Sequence, residues 1–211
     1  MKNYKVSYKL YLIANYKNED VNSFCKKVEQ GLMGGATIVQ LRAKKSTTKA
    51  IIEVGKKIKE ITDRYKIPLV VNDRIDIAML LDCHGVHLGQ DDAPIKDSRS
   101  LLGSDKIIGV TTRTVKQAQL AQEEGADYVG AGALFVTSTK SDAIPLQLET
   151  LKKIKETIQI PVVTIGGINK ENIINIPFSL IDGIAVSSGI LHQEDVKKAT
   201  QYINSKVSMH L

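Results

Sequence analysis

The apolar positions of this chain fall into eight short runs that recur along its length. The runs are continuous rather than alternating with polar residues, which is typical of parallel strands covered on both faces. They are rich in β-branched residues and therefore predict eight strands. The runs begin near residues 9, 37, 68, 85, 106, 128, 161 and 183 and read KLYLIAN, TIVQLR, PLVVND, GVHLG, KIIGVTT, YVGAGAL, PVVTIGGI and GIAVSSGI.

Between these runs the apolar residues return with the period of an amphipathic helix. Clear examples are VNSFCKKVEQGLMGG, TTKAIIEVGKKIKEITDRY and TVKQAQLAQEEG. Thr47 or Thr48 can cap the second helix, while the pair Gly34 and Gly35 can end the first and Gly125 the fifth. The segments around DIAMLL and KENIIN predict a short third and a short seventh helix.

Alternating strand and helix units of this number predict an α/β fold, the (β/α)8 or TIM barrel. Pro68 and Pro161 each stand at the first position of a run, where a missing N–H is tolerated. Because no linker or low-complexity segment interrupts the pattern, we expect one domain over residues 1–211. A doubly wound open sheet is the alternative, since the number of strands does not establish closure.

The composition indicates which class of ligand the protein binds. The net charge is +6, but the lysines are spread along the predicted helices, where they form solvated faces. The chain has 3 Phe and no Trp, and no cluster of basic and aromatic residues indicates nucleic-acid binding. We therefore expect the positive charge to serve small phosphate and diphosphate substrates.

The sequence also bears on location and assembly. No apolar run reaches the roughly 18 to 20 residues that span a bilayer, and the start of the chain lacks the features of a signal peptide. We expect a cytoplasmic protein that does not bind a membrane and keeps Cys25 and Cys83 reduced. A homo-oligomer is compatible with the sequence, which does not define the number of subunits.

Carboxylates end two neighbouring predicted strands. The run PLVV leads into Asn72 and Asp73, and GVHL leads into a turn that contains Asp92. Asp and Asn are poor strand formers, so each marks the end of its strand. Mg²⁺ usually takes one or two protein carboxylates and its other ligands from water and substrate phosphates. The pattern predicts a magnesium site at Asp73 and Asp92; two ordinary turn residues are the alternative.

Basic residues follow the second strand. It ends in Gln40, Leu41, Arg42, Ala43 and Lys44, and strand alternation places Gln40 and Arg42 on the same side. An arginine can hold a diphosphate with two parallel hydrogen bonds, and a lysine can hold it as a point charge. A solvated surface position is the alternative for each.

Hydroxyl groups and glycines follow the fifth to eighth strands. Their positions are Thr111, Thr137, Ser138, Thr139, Lys140, Gly167, Ser187 and Ser188. The loops after strands seven and eight are the usual phosphate site of this barrel, and glycines there let backbone N–H groups approach an anion. Together with the basic residues after strand two, they predict two anion sites and one cation site. A two-substrate reaction with diphosphate as the leaving group fits this arrangement.

In these motifs the chain resembles the thiamine phosphate synthase family, which also includes a thiazole tautomerase. The motifs are Q-x-R-x-K, V-N-D, G-x-H-x-G-Q-x-D, T-x-T-K and I-G-G, at intervals that cover nearly the whole chain. Each motif alone is weak, but the combination is specific. The resemblance implies a transferase of thiamine biosynthesis that couples hydroxymethylpyrimidine diphosphate to hydroxyethylthiazole phosphate and releases pyrophosphate.

The resemblance also assigns residues. It implies that the pyrimidine diphosphate is held by Gln40, Leu41, Arg42, Ala43, Lys44, Asn72, Thr111 and Lys140. It implies Mg²⁺ at Asp73 and Asp92, and thiazole phosphate at Thr137, Ser138, Thr139, Gly167, Ser187 and Ser188. Arg42, Lys44, Lys140 and Thr111 are the residues expected to act in catalysis. The family mechanism is dissociative, since the electron-rich aminopyrimidine loses pyrophosphate before the thiazole nitrogen attacks, so no protein nucleophile is required.

Five positions depart from the family pattern. Ala43 stands where an acid is usual, Thr111 where a Ser is usual, and Arg113 where a His is frequent. Ala133 replaces a usual Pro and Gln147 a usual Gly. These changes bear on the reaction rate and the substrate more than on the fold.

Two other functions stay open. The tautomerase uses a His as general base at the position of Arg113, and a guanidinium is a poor base because it stays protonated. A non-catalytic protein that binds thiazole or thiamine phosphate is the second alternative, favoured by the five departures. His87, in the fourth strand, is expected to be structural rather than a metal ligand.

Overall fold

The strands form one closed barrel. The computed structural model describes residues 6–136 and 145–211. All eight strands are parallel and pair in chain order, and the pairing of the eighth with the first closes the sheet. This confirms the predicted (β/α)8 class and excludes the doubly wound open sheet. The strands are β1 (Leu10–Asn15), β2 (Ile38–Arg42), β3 (Leu69–Asn72), β4 (Gly85–Leu88), β5 (Ile107–Thr112), β6 (Tyr128–Gly132), β7 (Val162–Ile165) and β8 (Gly183–Val186).

Helices separate most of the strands and cover the outside of the barrel. They are α1 (Val21–Met33), α2 (Thr48–Tyr65), α3 (Ile75–Leu80), α4 (Ile95–Leu102), α5 (Val115–Glu123), α6 (Leu148–Thr157), α7 (Ser188–Leu191) and α8 (Val196–Ser208). The cap of α2 is Thr47, whose hydroxyl accepts from the backbone N–H of Ala50 at 3.3 Å. Gly35 and Gly125 follow α1 and α5 with positive φ angles, as expected for residues that end a helix.

The predicted seventh helix is a single 3₁₀ turn, Ile173–Asn175, and a second 3₁₀ turn, Phe178–Leu180, follows it. The Asn169 side chain accepts from the backbone N–H groups of Glu171 and Asn172, both at 3.0 Å. Such local hydrogen bonds compete with a regular helix. Pro177 then prevents continuation, because it lacks an N–H. The segment is therefore short, as predicted, but it is not an α-helix.

Two apolar cores lie on either side of the sheet. The larger core packs the outward-facing strand residues against the helices. The smaller core fills the barrel interior and consists of Tyr8, Tyr11, Ile13, Ile38, Val70, Ile107, Tyr128, Val163 and Ala185. Within the ranges that the structure describes, no helix has the length and apolar character needed to cross a membrane.

The two thiols provide a test of this packing. Cys25 and Cys83 are both buried, and burial raises the pKa of Cys25 to about 11 and that of Cys83 to about 12. At pH 8 both are therefore thiols rather than reactive thiolates. We expect a disulfide reagent at pH 8 to leave both cysteines of the native protein unmodified and to titrate both in denaturant. Rapid modification of either in the native protein would contradict the packing of α1 and of the turn before β4.

Candidate functional site

The carboxyl ends of the strands surround one pocket. Several residues that the sequence predicted lie on its wall: Gln40, Arg42, Asn72, Thr111, Gly167, Ser187 and Ser188. A second pocket beside it is lined by Leu41, Ala43, Lys44, Asn72 and Asp73, among others. Thr137, Ser138, Thr139 and Lys140 lie outside the described residues. Asn72 lines both pockets and so connects them.

The two predicted metal carboxylates lie side by side. The carboxyl groups of Asp73 and Asp92 are within hydrogen-bonding reach of each other. Asp73 follows β3, and its backbone N–H donates to the carbonyl oxygen of His87 at 2.9 Å. Asp92 is held by the turn after β4, where its Oδ2 accepts from the N–H of Gly89 at 2.6 Å. The Asp92 carboxylate is therefore held by a backbone N–H, whereas at Asp73 it is the main chain that is held by a backbone bond.

Lys44 completes this group. Its Nζ lies 2.8 Å from Oδ2 of Asp73. Burial acts to raise the pKa of Asp73, but hydrogen bonds with Lys44 and Asp92 outweigh it, and the net pKa is below the ordinary value. Burial raises the pKa of Asp92, and the neighbouring Asp73 adds to that shift despite the hydrogen bond from Gly89. The pair thus keeps Asp73 ionised and holds a proton more readily at Asp92.

This donor set fits a hard cation that brings some of its own ligands. Two adjacent carboxyl groups are what Mg²⁺ commonly takes from a protein, with water and substrate phosphate supplying the rest. Within residues 6–136 and 145–211 no group of three or more His, Cys, Asp or Glu side chains is placed to hold a metal. The two carboxyl groups of Asp73 and Asp92 fit an ion that takes its remaining ligands from outside the protein.

The backbone at Asp73 is unusual. Its φ angle is +62°, in the left-handed region that most side chains avoid. Such conformations cost free energy and are concentrated at functional sites. In this protein the conformation turns the chain sharply at the end of β3.

Arg42 faces the pocket from the end of β2. Its Nη1 donates to Oδ1 of Asn15 at 2.8 Å, which fixes the guanidinium across the ends of β1 and β2. Burial lowers the pKa of Arg42, and the nearby Asp73 opposes that shift. The guanidinium stays protonated, because its pKa starts far above neutrality. Arg42 therefore presents a held positive charge to the pocket.

The opposite side of the pocket is formed by the loops after β7 and β8. Gly166 and Gly167 have φ angles of +107° and +66°, which favour glycine. The Gly167 carbonyl accepts from Nδ2 of Asn172 at 2.8 Å. Ser187 precedes α7, and its hydroxyl donates to the Ile13 carbonyl oxygen at 2.9 Å. Because that hydroxyl proton is engaged, a contribution of Ser187 to anion binding would come from its backbone.

Polar groups inside the barrel were not singled out from the sequence. Tyr11 and Tyr128 were interpreted only as parts of strands, and His87 as structural. In the structure all three line the pocket, and His87 contacts both Tyr128 and Thr111 through its ring nitrogens. Strand alternation places Tyr11 on the same side of β1 as Asn15, and this is the sequence feature that could have identified Tyr11 as a pocket residue.

The departures from the family pattern lie around the same rim. Ala43 is buried beside the second pocket, so no charge replaces the usual acid there. Arg113 is exposed at the wall of the first pocket, the one that Arg42 also lines. Ala133 is buried, and its carbonyl oxygen accepts from the N–H of Leu146 at 2.6 Å. Gln147 precedes α6 without a side-chain capping bond.

A closed (β/α)8 barrel with a polar pocket at the carboxyl ends of its strands has the usual architecture of a barrel enzyme. The family model for thiamine monophosphate synthase matches residues 10–190. The chain therefore belongs to the thiamine monophosphate synthase family, a family of transferases.

Individual relatives agree with this assignment. The chain is 48% identical over 197 residues to the thiamine-phosphate synthase of Clostridium acetobutylicum, covering 93% of this chain and 92% of that protein. It is 44% identical over 205 residues to the corresponding protein of Alkaliphilus oremlandii, covering 97% and 98%. The solved structure of thiamine phosphate pyrophosphorylase from Pyrococcus furiosus matches with a TM-score of 0.86 and 39% identity, covering 98% of each chain.

The left-handed backbone of Asp73 generates a stability prediction. Asp73→Gly and Asp73→Ala remove the same carboxylate, but only glycine adopts this φ without cost. In urea unfolding with EDTA present, we expect Asp73→Ala to be less stable than Asp73→Gly by about 1 to 2 kcal/mol.

Asp91 provides the matched control, because its φ angle is not positive. There the order is expected to reverse, since glycine has the greater entropy to lose. Equal stability of the two Asp73 variants would show that the position carries no backbone strain.

Proposed function

We propose that this protein joins hydroxymethylpyrimidine diphosphate to hydroxyethylthiazole phosphate, giving thiamine phosphate and pyrophosphate. The observation that carries the proposal is the division of the rim between two adjoining pockets that share Asn72. On one side Asp73, in contact with Asp92, lies beside Lys44 and near Arg42, and on the other side lie Gly167 and the turn that begins α7. A diphosphate with a cation fits the first side and a phosphate monoester fits the second.

The diphosphate side is assigned to Arg42, Lys44, Asn72 and Lys140. Arg42 is held by Asn15 and can offer two parallel N–H groups to a diphosphate. Lys44 is half exposed, so it can move from Asp73 to a bound anion at small cost. Lys140 is assigned by family resemblance alone, because it lies outside the described residues.

The cation is proposed to be Mg²⁺ between Asp73 and Asp92. When bound, it would neutralise charge on the departing diphosphate. The protein contributes the Asp73 carboxylate, held by Lys44, and the Asp92 carboxylate, held by the N–H of Gly89, and a cation there would favour the ionised form of Asp92, whose pKa is raised by burial. Residues already in position stabilise a developing charge without reorganisation during the reaction.

The thiazole phosphate is assigned to Gly167, Ser187 and Ser188, with Thr137, Ser138 and Thr139 added by resemblance. The contribution of the protein is then alignment of the two substrates. Fixing two reactants in a productive orientation can supply a large part of a rate enhancement. The mechanism needs no protein nucleophile, which agrees with the burial of Cys25 and Cys83.

The tautomerase alternative finds less support. It needs a general base where this chain has Arg113, and a guanidinium is a poor base because it stays protonated. A non-catalytic binding protein would not need the fixed pair of carboxylates. We place the activity in the cytoplasm, where the two thiols would stay reduced.

The test is a coupling assay of the purified protein with both substrates and Mg²⁺, in which thiamine phosphate and pyrophosphate are measured. We expect both products to form together and to disappear with EDTA. Isomerised thiazole without coupling would favour the tautomerase. Binding of substrates without either product would favour the non-catalytic protein.

Two adjacent acids provide a matched pair for the metal assignment. Asp92 contacts Asp73, whereas its neighbour Asp91 is exposed. We expect Asp92→Asn to lower kcat/KM at least a hundredfold, a loss typical for removal of an electrostatic catalytic group. Asp91→Asn should retain nearly full activity. Equal activity of the two variants at limiting Mg²⁺ would reject the metal assignment.

A further inference from the structure

A continuous chain of hydrogen bonds crosses the interior of the barrel. The amide Nε2 of Gln40 donates to Tyr11 at 3.1 Å, and the hydroxyls of Tyr11 and Tyr128 lie 2.9 Å apart. The Tyr128 hydroxyl lies 2.8 Å from Nδ1 of His87. Nε2 of His87 lies 2.9 Å from the hydroxyl oxygen of Thr111. Five residues from β2, β1, β6, β4 and β5 are thus connected, and the last of them faces the pocket.

We infer that this chain is a positioning device that places the His87 proton on Nε2 and thereby directs the Thr111 hydroxyl proton into the pocket. There it would donate to an acceptor atom of the pyrimidine diphosphate. This inference rests on the proposed function for the identity of the substrate. Its structural part, the position of the proton on His87, can be measured without any substrate.

The direction of the chain follows from counting donors and acceptors. An amide nitrogen only donates, so Tyr11 accepts from Gln40 and uses its own proton for Tyr128. Burial raises the pKa of both tyrosines, so both keep their protons. Tyr128 accepts from Tyr11 and has one proton to donate, and Nδ1 of His87 is its acceptor. The remaining ring proton of His87 is on Nε2, facing Thr111.

The reverse arrangement would leave a buried donor without an acceptor. If Nδ1 of His87 carried a proton, the Tyr128 hydroxyl would face two donors, and its own proton would lack a partner in this chain. An unsatisfied buried polar group costs more than a typical hydrogen bond contributes. This cost applies in full, because Tyr11 and Tyr128 are both buried, at most 1% exposed.

The consequence falls on Thr111. Its oxygen accepts from His87, so its own proton is directed to another partner. Thr111 is partly exposed on the pocket wall, beside residues assigned to the diphosphate side. Hydrogen bonds in series also polarise one another, which strengthens the donor at the end of the chain.

The backbone is shaped around these rings. A Cβ atom at Gly109 would overlap the Tyr128 ring, and one at Gly130 would come within 3.0 Å of Cε1 of His87. The Tyr11 and Tyr128 rings meet edge to face at 5.8 Å between centroids. These contacts hold the rings at the angles that the hydrogen bonds need.

The first test is nitrogen NMR of the whole protein labelled on histidine, with the His87 signals assigned from His87→Gln. We expect the wild type to show a protonated Nε2 and an unprotonated Nδ1 at His87. Tyr128→Phe preserves the ring but removes the donor, and should produce a mixture of the two tautomers. Tyr16→Phe is the control, because the Tyr16 hydroxyl donates to the Glu19 carbonyl oxygen, away from the five residues.

The second test is kinetic. We expect Tyr128→Phe and Thr111→Val each to lower kcat for coupling about tenfold, the size of one good hydrogen bond. The KM for thiazole phosphate should not change, and Thr111→Ser should retain activity. Because the residues act in series, Tyr128→Phe should have little further effect in the Thr111→Val background. His87→Gln, which keeps an N–H near Thr111, should be more active than His87→Leu.

Inhibition by inorganic pyrophosphate identifies the acceptor. If pyrophosphate inhibits Tyr128→Phe more weakly than the wild type, the acceptor of the Thr111 proton is a diphosphate oxygen. If inhibition by pyrophosphate is unchanged, the acceptor lies on the pyrimidine ring. A proton on Nδ1 in the wild type, an unchanged tautomer in Tyr128→Phe, or fully additive kinetic effects would each overturn the inference. If coupling is absent in the wild type while the tautomer shifts as expected, the function fails and the positioning stands.

Discussion

Closure of the barrel through the pairing of β8 with β1 is the constraint on which the pocket depends. Parallel strands that close on themselves must bring all their carboxyl ends to one rim. Residues as distant in sequence as Arg42 and Ser187 thereby line the same wall. An open sheet of the same strands would leave its two edge strands far apart and divide this set.

The rim is electrostatically divided. Around Asp73 the fixed carboxylates and held cations form one group, in which charges of both signs lie within hydrogen-bonding distance. At Gly167 and the start of α7 the wall instead offers backbone groups, since the Ser187 hydroxyl already donates to the Ile13 carbonyl oxygen. A diphosphate with its cation needs charged groups of both signs around it, whereas a phosphate monoester can be bound by backbone N–H groups. The division supports the proposed order of the two substrates across the pocket.

Much of the fold could be predicted because the local signals agree with the global structure. Each of the eight apolar runs contains the strand that the structure places there. The segment KENIIN was harder, because Asn side chains and a following Pro compete with the helical period in ways that an apolar pattern does not report. Asp73 and Asp92 could be located at strand ends as candidate metal ligands, but the left-handed backbone of Asp73 could not be predicted, since aspartate tolerates several conformations.

The chain of hydrogen bonds inside the barrel could not be predicted from the pattern of strands alone. Tyr11 and Tyr128 are strand formers by type, and only their closeness across the barrel reveals that their hydroxyls meet. That closeness depends on the register of non-adjacent strands β1 and β6, which no local pattern encodes. His87 was expected to be structural, and its contact with Thr111 appears only once β4 and β5 are paired.

The central claim is that the Asp73 side of the pocket receives a cation together with a diphosphate. The most direct measurement is a crystal structure of the protein with Mn²⁺, as an anomalous scatterer in place of Mg²⁺, and inorganic pyrophosphate. The account predicts one anomalous peak in contact with both Asp73 and Asp92, and pyrophosphate in contact with Arg42 and Lys44. A metal bound elsewhere, or pyrophosphate seated only against Gly167 and Ser187, would contradict it.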